Sequence, residues 1–412
     1  MANMKIIARI IKFELKKILS SKLTIGALII SYLILIYSFV PNIFKYTFYD
    51  DNGNLIKRKQ AVNYEKEFYK EYLNQVQTDE RIRANIENLK EHYIVENNKT
   101  GFEYDKALPK DIYYGYYKPR ESYFYWLSQN FISGPYPHIL MIEFDELGDF
   151  YVHRQKNCET WFDSMNLTST EREFWQQRAN ITKGPYQYGY YQGWNYINDS
   201  LDIVVFLVLA IGIGISGVFS EEHETGMDAI LLSAKYGRTK LVTGKITASL
   251  IFAIVVVLVG LLLCVVPILL FFGTEGWNLP IQVLDAKILY NWTLLKTIGI
   301  RIFMSFLSAL AVATIALSLS SKIKKTTPVA VIVILFYLGG LFIPVERGNR
   351  IFQKITRLLP AFLSGRQYYG LVTYSFFGKV LTFYHMAIAV YILLILILLP
   401  LSMIFFKKHQ VE

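Results

Sequence analysis

Six long apolar runs alternate with polar segments along the chain. Each run holds about 20 residues with few charged side chains, the length that an α-helix needs to cross the hydrocarbon core of a bilayer. The pattern therefore predicts an all-α polytopic membrane domain with six transmembrane helices. The predicted spans are residues 23–40, 201–219, 246–272, 297–319, 328–345 and 384–406.

The segment before the first span has the periodicity of an amphipathic helix. Its apolar residues recur three or four positions apart, and its basic residues fall on a different face. Such a helix lies in the plane of the lipid head groups, so residues 1–22 are predicted to form an interfacial helix. The segment does not read as a cleaved signal peptide, because its charged region is too long and no small-residue cleavage site follows residue 40.

Residues 41–200 separate the first span from the second and are numerous enough for a domain of their own. Residues 61–97 are rich in Glu, Lys and Asn with apolar residues at intervals, which indicates helix. The later part is dense in Gly, Pro and Tyr, and 20 of the 30 tyrosines lie between residues 41 and 200. We therefore predict an inserted extracellular domain that is α-rich or α+β. Its tyrosines suit either ligand recognition or contact with the bilayer surface, and the sequence favours neither use.

The distribution of charge predicts the topology. The chain carries a formal charge of +10, yet residues 41–200 hold 19 Lys and Arg against 23 Asp and Glu. The basic excess falls beside the spans, where cytoplasmic loops collect Lys and Arg. Both termini are therefore predicted to be cytoplasmic and residues 41–200 extracellular. The excess reflects membrane topology and contact with lipids, so we expect no binding to nucleic acid.

The polar segment at residues 346–383 departs from this alternation. It carries Arg347, Arg350, Lys354, Arg357 and Arg366, although the order of the spans places it outside. Its apolar stretches at 351–359 and 368–380 are too short to cross a bilayer. We predict a pair of short re-entrant or interfacial helices here.

Two cysteines are present, one in the predicted external domain and one inside a span. Cys158 and Cys264 cannot pair across the membrane, so no intramolecular disulfide is expected. An external domain without a disulfide framework fits a bacterial cell envelope, and we predict that the protein lies in the bacterial plasma membrane.

The segment between spans two and three is short, charged and amphipathic. Three glutamates stand at the start of a possible helix, a glycine permits a bend, and a Leu-Leu step supplies an apolar side. Basic residues follow, where they can meet the inner head groups. Such a segment can form a short helix on the membrane surface that a soluble partner binds, and we call residues 220–245 the coupling region. The residues assigned to it are Glu221, Glu222, Glu224, Gly226, Leu231, Leu232, Arg238 and Lys245.

The arrangement resembles the cytoplasmic coupling region of ABC-2 type permeases, the membrane subunits of one class of ATP-driven transporter. In that family the stretch contains acidic residues, a glycine, a Leu-Leu step, a proline turn, an arginine, and Gly-Lys opening the next span. The chain departs from this pattern where Ala234 and Lys235 replace the usual proline. It matches at Glu221, Glu222, Gly226, Leu231, Leu232, Arg238, Gly244 and Lys245.

The resemblance implies an architecture and a set of partners. Residues 1–22 correspond to the family's elbow helix, residues 358–360 belong to its external helical pair, and a large external domain between the first two spans occurs in one branch. Two permease chains, identical or paralogous, pair around a central path, and two cytoplasmic ABC ATPase subunits dock beneath them. Spans two and five line that path in the family, and small residues there also allow close helix packing. The candidate path residues are Gly212, Gly214, Gly217, Gly339 and Gly340.

Motifs of the common enzyme classes do not occur in the sequence. Gly244-Lys245-Ile246 lacks the loop and the hydroxyl of a nucleotide-binding motif, so ATP and Mg are expected on the partner ATPase and no cofactor or metal in this chain. His223 lies between two glutamates, but adjacent residues do not share a helix face, and we predict a solvated charged surface. Asp202 is predicted to be a boundary residue at the end of span two, and no charge pair is expected inside the membrane.

These features predict a permease subunit of an ATP-driven ABC exporter. Because the predicted path walls are apolar, the expected cargo is amphipathic or hydrophobic, such as an antimicrobial peptide or a lipid. The alternative is a membrane-anchored sensor or receptor that binds an extracellular ligand through residues 41–200. One span would suffice for a receptor, whereas six spans and a charged internal loop favour transport. An intramembrane enzyme is disfavoured, since no catalytic constellation is present.

Overall fold

The structure is a computed structural model that describes residues 2–91, 108–131, 138–142, 150–234, 236–343, 349–376 and 378–407. The helices are α1 (Ala2–Ser20), α2 (Lys22–Phe44), α3 (Arg58–Phe68), α4 (Asp79–Glu91), α5 (Lys110–Ile112), α6 (Glu121–Phe131), α7 (Phe150–Ser164), α8 (Ser169–Ile181), α9 (Gln192–Ser200), α10 (Val204–Ile215), α11 (Gly217–Glu224), α12 (Met227–Ser233), α13 (Val242–Phe272), α14 (Leu294–Ser320), α15 (Thr326–Phe342), α16 (Arg350–Arg357) and α17 (Phe383–Lys407). The strands are β1 (Thr47–Tyr49), β2 (Leu55–Lys57), β3 (Val76–Gln77), β4 (Tyr186–Gln187), β5 (Thr373–Phe376) and β6 (Lys379–Thr382).

Five helical stretches in the described part of the chain are long and apolar enough to cross a membrane. They confirm an all-α polytopic membrane domain at five of the six predicted spans. The predicted span at 328–345 forms α15, which has 17 residues and a length of about 25 Å, slightly less than the hydrocarbon thickness. The five long stretches are Lys22–Phe44, Gln192–Glu224, Thr239–Phe272, Leu294–Ser320 and Phe383–Lys407.

Two of these stretches form the centre of the bundle. The segments that contain α10 and α14 bury most of their apolar windows, whereas α2, α13 and α17 leave most of theirs uncovered. Small residues allow the close contacts at the centre. A Cβ atom added at Gly212 would lie 2.6 Å from a methyl group of Val333, and one added at Gly260 would lie 2.2 Å from a methyl group of Leu207.

The inserted domain is rich in helix, in agreement with the α-rich prediction. Helices α3 to α8 form most of its described part, and two short antiparallel ribbons accompany them. Strand β3 pairs with β4, so the ribbon joins the beginning of the domain to its end. Much of the tyrosine content packs inside the domain: the rings of Tyr123 and Tyr188 are fully buried, with centroids 5.1 Å apart. Core packing is thus a third use of tyrosine, beside the two that the sequence left open.

The segment after α15 combines a helix with a hairpin. A helix is present at the first predicted stretch, 351–359, as α16, and its re-entrant or interfacial position stays a prediction. The helix predicted at 368–380 is wrong. That stretch forms the antiparallel hairpin β5–β6, in which Thr373 pairs with Thr382. Gly378 adopts a positive φ of 75° in the turn, and the β-branched residues Thr373, Val380 and Thr382 favour strand over helix.

Candidate functional site

The predicted coupling region forms a bent helical unit between α10 and α13. Helix α11 ends at Glu224, Gly226 adopts a positive φ of 70°, and α12 begins at the next residue. The bend expected at Gly226 is therefore present, in a conformation that strains any residue with a side chain. Helix α12 leaves Met227 and Ile230 exposed, at 48% and 66% of their surfaces. Lys235 and the side chains of Leu232 and Arg238 lie outside the described residues.

Lys245 is the centre of a buried ion cluster that joins three helices. Its side chain is completely buried, and its Nζ lies 2.9 Å from Oε2 of Glu14 on α1 and 2.5 Å from Oε1 of Glu222 on α11. The same ammonium donates a hydrogen bond of 3.1 Å to the carbonyl oxygen of Val218. Because buried charges persist only when they are paired, these contacts hold α1, α11 and α13 in one arrangement.

A second lysine extends the cluster toward solvent. Nζ of Lys17 lies 3.2 Å from Glu221 and 3.5 Å from Glu222, so Glu222 is shared by two ammonium groups. The three predicted residues Glu221, Glu222 and Lys245 are thus brought together. Their partners Glu14 and Lys17 were not predicted. Glu14 could have been recognised from the sequence, since it is the only acidic residue in the basic segment 1–22.

Glu224 contacts a helix outside this cluster. Its Oε2 accepts a hydrogen bond of 3.2 Å from the backbone N–H of Thr326, the first residue of α15. A carboxylate suits this position because the first N–H groups of a helix have no partner within the helix and carry a partial positive charge. Nearby, the hydroxyl groups of Ser220 and Thr326 are 3.2 Å apart. The coupling region therefore contacts α15 directly.

His223 does not lie on a solvated surface, so that prediction is wrong. Its side chain is 1% exposed, and its Nδ1 lies 2.9 Å from Oδ2 of Asp228. The bend at Gly226 turns α12 back over α11 and brings Asp228 to the imidazole. The ring also packs against Phe406 of α17, with ring centroids 5.6 Å apart. Within the described ranges, no group of three or more His, Cys, Asp and Glu side chains could hold a metal ion.

The candidate path glycines have different surroundings. A Cβ atom added at Gly214 would lie 2.9 Å from Thr24, and one added at Gly340 would lie 2.6 Å from Leu359. These two, like Gly212, pack closely against other segments of the chain. Gly217 has ordinary spacing to Thr326, and an added Cβ at Gly339 would meet no atom of the described residues within 4 Å. Gly339 is therefore the candidate whose surroundings leave most room for a path or for a second chain.

A second ion cluster lies where spans two and four begin. Arg301, completely buried in α14, donates to Asp202 (2.5 Å), to the carbonyl oxygen of Ser364, and to both oxygen atoms of Asn198. Arg366 donates to Asp202 at 2.8 Å and to Asp199 at 2.7 Å. The expectation of no charge pair inside the membrane is corrected at Arg301, which lies within the predicted span 297–319. Asp202 stays partly exposed, as a boundary residue does.

Two of the basic residues after α15, Arg350 and Lys354, find a counter-charge in the inserted domain. Glu171 of α8 lies 2.8 Å from Nζ of Lys354 and 3.1 Å from Arg350, and it accepts a hydrogen bond from Thr373. Burial raises the pKa of Glu171, but the hydrogen bonds from Lys354 and Thr373 outweigh burial and lower it to about 2. Two basic residues of the segment that departs from charge alternation are thus paired with one acidic residue of the domain that the segment contacts.

Glu65 of α3 is a buried carboxyl group at the base of the domain. It accepts hydrogen bonds from the hydroxyl of Tyr46, just after α2, and from the amide of Gln192, at the start of α9. Burial raises the pKa of Glu65 to about 7, although both hydrogen bonds act in the opposite direction. Near pH 6 the native protein therefore holds this proton, whereas an unfolded chain, with a carboxyl pKa near 4.5, has lost it.

We expect Glu65 to make the protein less stable as the pH rises from about 4.5 to about 7. The raised native pKa corresponds to at most about 3 kcal/mol of stabilisation, which is complete below pH 4.5 and lost through pH 7. The measurement is the melting temperature of wild type and Glu65→Gln between pH 5 and 8. The melting temperature of the wild type should fall relative to that of Glu65→Gln as the pH rises. Glu67→Gln, at an exposed neighbouring position, should show the same pH dependence as the wild type. A constant difference between wild type and Glu65→Gln contradicts the expectation.

Comparison with known proteins identifies a family. The sequence matches the profile of a family described as ABC-2 family transporter protein over residues 8–411. The match covers all the spans, both ion clusters and the inserted domain. No curated protein matches the chain.

Proposed function

The chain belongs to the ABC-2 family of transporter proteins, and we propose that it is the permease subunit of an exporter in the bacterial plasma membrane, with both termini in the cytoplasm. Family membership makes it a membrane component of an ABC transporter, which works with a partner ATPase. We propose three things beyond family membership: the direction of transport, the nature of the cargo, and the residues that couple the permease to the ATPase. The inserted domain would then be extracellular, and two such chains would pair around the path.

The buried cluster around Lys245 carries this proposal. It fastens the end of span two, the start of span three and the interfacial helix α1 to one another through Glu14 and Glu222. A displacement of α12 would therefore also move α1, α11 and α13, because the ion cluster joins these three helices. Glu224 passes the same displacement to α15 through Thr326. The coupling residues that we propose are those named from the sequence, together with Glu14 and Lys17.

The surface that meets the ATPase is proposed to be the exposed face of α12. Met227 and Ile230 lie on it, and exposed apolar side chains beside charged ones are typical of protein interfaces. ATP binding would close the ATPase pair and move α12, provided that the two ATPase states contact this face differently. The cargo path would run between spans two and five beside the five candidate glycines. Gly217 and Gly339 would lie at its wall, and Gly212, Gly214 and Gly340 would be the close packing contacts that hold the wall in place. The apolar helices around them favour an amphipathic or hydrophobic cargo.

We expect the double variant Met227→Asp/Ile230→Asp to fold but to lose the ATPase. Both side chains are exposed, so stability changes should stay within about 0.5 kcal/mol each. Burying two carboxylates at an interface should weaken association at least about tenfold. The measurement is co-purification of an ABC ATPase with the tagged permease from native membranes, together with the melting temperature.

A matched control separates this result from a general effect of added charge. Ile181→Asp introduces the same chemistry at an equally exposed position of the inserted domain and should leave ATPase association intact. Full co-purification of the ATPase with the double variant would remove α12 as the docking surface. A ligand-dependent response with no ATPase associated with the wild type would instead favour a receptor.

A further inference from the structure

A cavity of about 410 Å³ opens where three distant parts of the chain meet. One wall is a single face of α7 in the inserted domain, whose lining residues stand three or four positions apart. The other walls come from the loop between spans three and four and from Tyr369. Its size falls within the range of about 300–1,000 Å³ that is typical of small-molecule sites, which often lie where a domain meets the rest of a protein.

The cavity is formed before any ligand arrives, because the inserted domain binds the loop that lines it. Arg154, completely buried on α7, donates a hydrogen bond of 2.9 Å from Nε to the carbonyl oxygen of Ala286. Trp126 of α6 donates one of 2.8 Å to the carbonyl oxygen of Gln282. These contacts fix the loop against the domain, so a ligand would not have to order its own site.

Asp285 and Lys287 bring opposite charges to the cavity, and neither charge is paired. Oδ1 of Asp285 accepts a hydrogen bond of 2.8 Å from the backbone N–H of Lys287. Its Oδ2 has no partner in the described part of the chain and keeps accessible surface, and the same is true of the Lys287 ammonium. Burial raises the pKa of Asp285, which the hydrogen bond from the Lys287 backbone offsets only in part. A cation brought by a ligand would stabilise the charged carboxylate.

The remaining lining supplies aromatic and apolar surface. Trp161 of α7 and Tyr369 are partly exposed, and neither the indole N–H nor the phenol hydroxyl has a hydrogen-bond partner within the described ranges. Ile288 adds an aliphatic side chain. The cavity thus combines one free carboxylate, one free ammonium group and an apolar surface next to them.

We propose that this cavity binds a short zwitterionic peptide of about two residues, on the side of the membrane that carries the inserted domain. The amino terminus of the ligand pairs with Asp285, its carboxylate pairs with Lys287, and an apolar side chain packs against Trp161 and Ile288. Since the two protein charges do not contact each other, the ligand groups that reach them must also be apart, as the two ends of a dipeptide are. A neutral sugar would use the aromatic surface but leave both charges unpaired, and a simple anion or cation would pair only one.

The test is isothermal titration calorimetry on the purified full-length protein without any ATPase, with the dipeptide leucyl-phenylalanine as the probe. We expect one dipeptide per chain. Acetylation of its amino terminus and amidation of its carboxylate should each lower the affinity about tenfold, the factor that one charge-assisted hydrogen bond supplies. The neutral disaccharide maltose should bind more weakly than the free dipeptide.

Charge variants assign the two ends of the ligand. Asp285→Asn keeps an acceptor for the backbone N–H of Lys287 and should bind the free and the acetylated dipeptide equally. Lys287→Gln should in the same way bind the free and the amidated dipeptide equally. Asp163→Asn is the matched control, because this exposed carboxylate of α7 pairs with Arg172 and does not line the cavity. It should bind all the ligands as the wild type does.

A further variant keeps the test decisive if Asp285→Asn fails to fold. Thr160→Tyr, at an exposed position of α7 that lines the cavity, fills it without removing either charge and should abolish binding. The proposal is overturned if wild type fails to bind the free dipeptide, binds the free and acetylated forms equally, or prefers maltose. Undiminished binding by Thr160→Tyr overturns it as well. None of these results depends on transport or on an ATPase, so the proposed permease function is tested separately.

Discussion

Lys245→Ala is expected to destabilise the protein by about 3–5 kcal/mol, the usual cost of removing one partner from a buried ion pair. Glu14 and Glu222 would both lose their closest cation, and the cavity left by the lysine is lined by carboxylates. Lys17 alone cannot balance both carboxylates, since its ammonium is partly exposed and already lies 3.2 Å from Glu221 and 3.5 Å from Glu222. The measurement is the melting temperature of the reconstituted protein, followed by ATPase association of the fraction that remains folded.

Two variants show whether the charge balance, and not the lost volume, causes the effect. Glu14→Gln combined with Lys245→Met removes one charge of each sign and should recover most of the stability, because Glu222 then pairs with Lys17. Lys12→Ala, at an exposed position of α1, should behave as wild type. If Lys245→Ala has the same melting temperature as the wild type, the cluster does not hold the coupling region in place.

Arg301→Leu is expected to have a similar cost, about 3–5 kcal/mol, at the other ion cluster. The guanidinium group donates to Asn198, Asp202 and the carbonyl oxygen of Ser364, and leucine would remove this buried donor from all three. Asp202 would keep Arg366, and Oδ1 of Asn198 would keep the hydroxyl of Tyr368, but the carbonyl oxygens of Asn198 and Ser364 would lose the guanidinium. These partners lie on α9, on the turn before α10 and after α16, so the variant should loosen the contact of spans two and four with the segment around residue 364. Transport should fall while ATPase association is retained, because we propose that the ATPase docks at the opposite end of the spans.

Arg366→Ala provides the graded control. Its side chain is about one-third exposed and pairs with Asp199 and Asp202, so its removal should cost only about 1 kcal/mol. The measurement is the melting temperature of both variants and their ATPase co-purification. Equal losses in Arg301→Leu and Arg366→Ala would show that burial of Arg301 does not set the strength of this cluster.

Much of the membrane domain could be predicted from hydropathy, because burial in lipid imposes the same requirement on every residue of a span. Five predicted spans appear as long helices, and 328–345 differs because α15 has only 17 residues. Segment 346–383 shows where local composition misleads: the stretch 368–380 is apolar enough for a helix, yet Gly378 and the β-branched residues beside it form a hairpin. Apolar content alone does not distinguish a short helix from a short strand.

The two ion clusters show what a linear pattern cannot supply. Glu222 and Lys245 could be selected from the sequence by their position between spans. The sequence did not reveal that both side chains are buried between α1, α11 and α13. It treated Asp202 as a boundary residue and overlooked Arg301, although this arginine is the one charged residue of its predicted span. His223 was expected in solvent because its neighbours are charged, whereas the bend at Gly226 encloses it.

Composition and short-range periodicity are enough to predict the membrane class and the amphipathic first helix, because both are local properties of the chain. Gly226 marks a bend, and the resemblance of residues 220–245 indicates the family. Which charges meet depends on the tertiary structure. Glu14 and Lys245 stand 231 positions apart, and they form a pair because α1 packs across the start of α13. Pairing of this kind follows from the path of the whole chain through space, and burial makes it strong where exposed pairs would be weak.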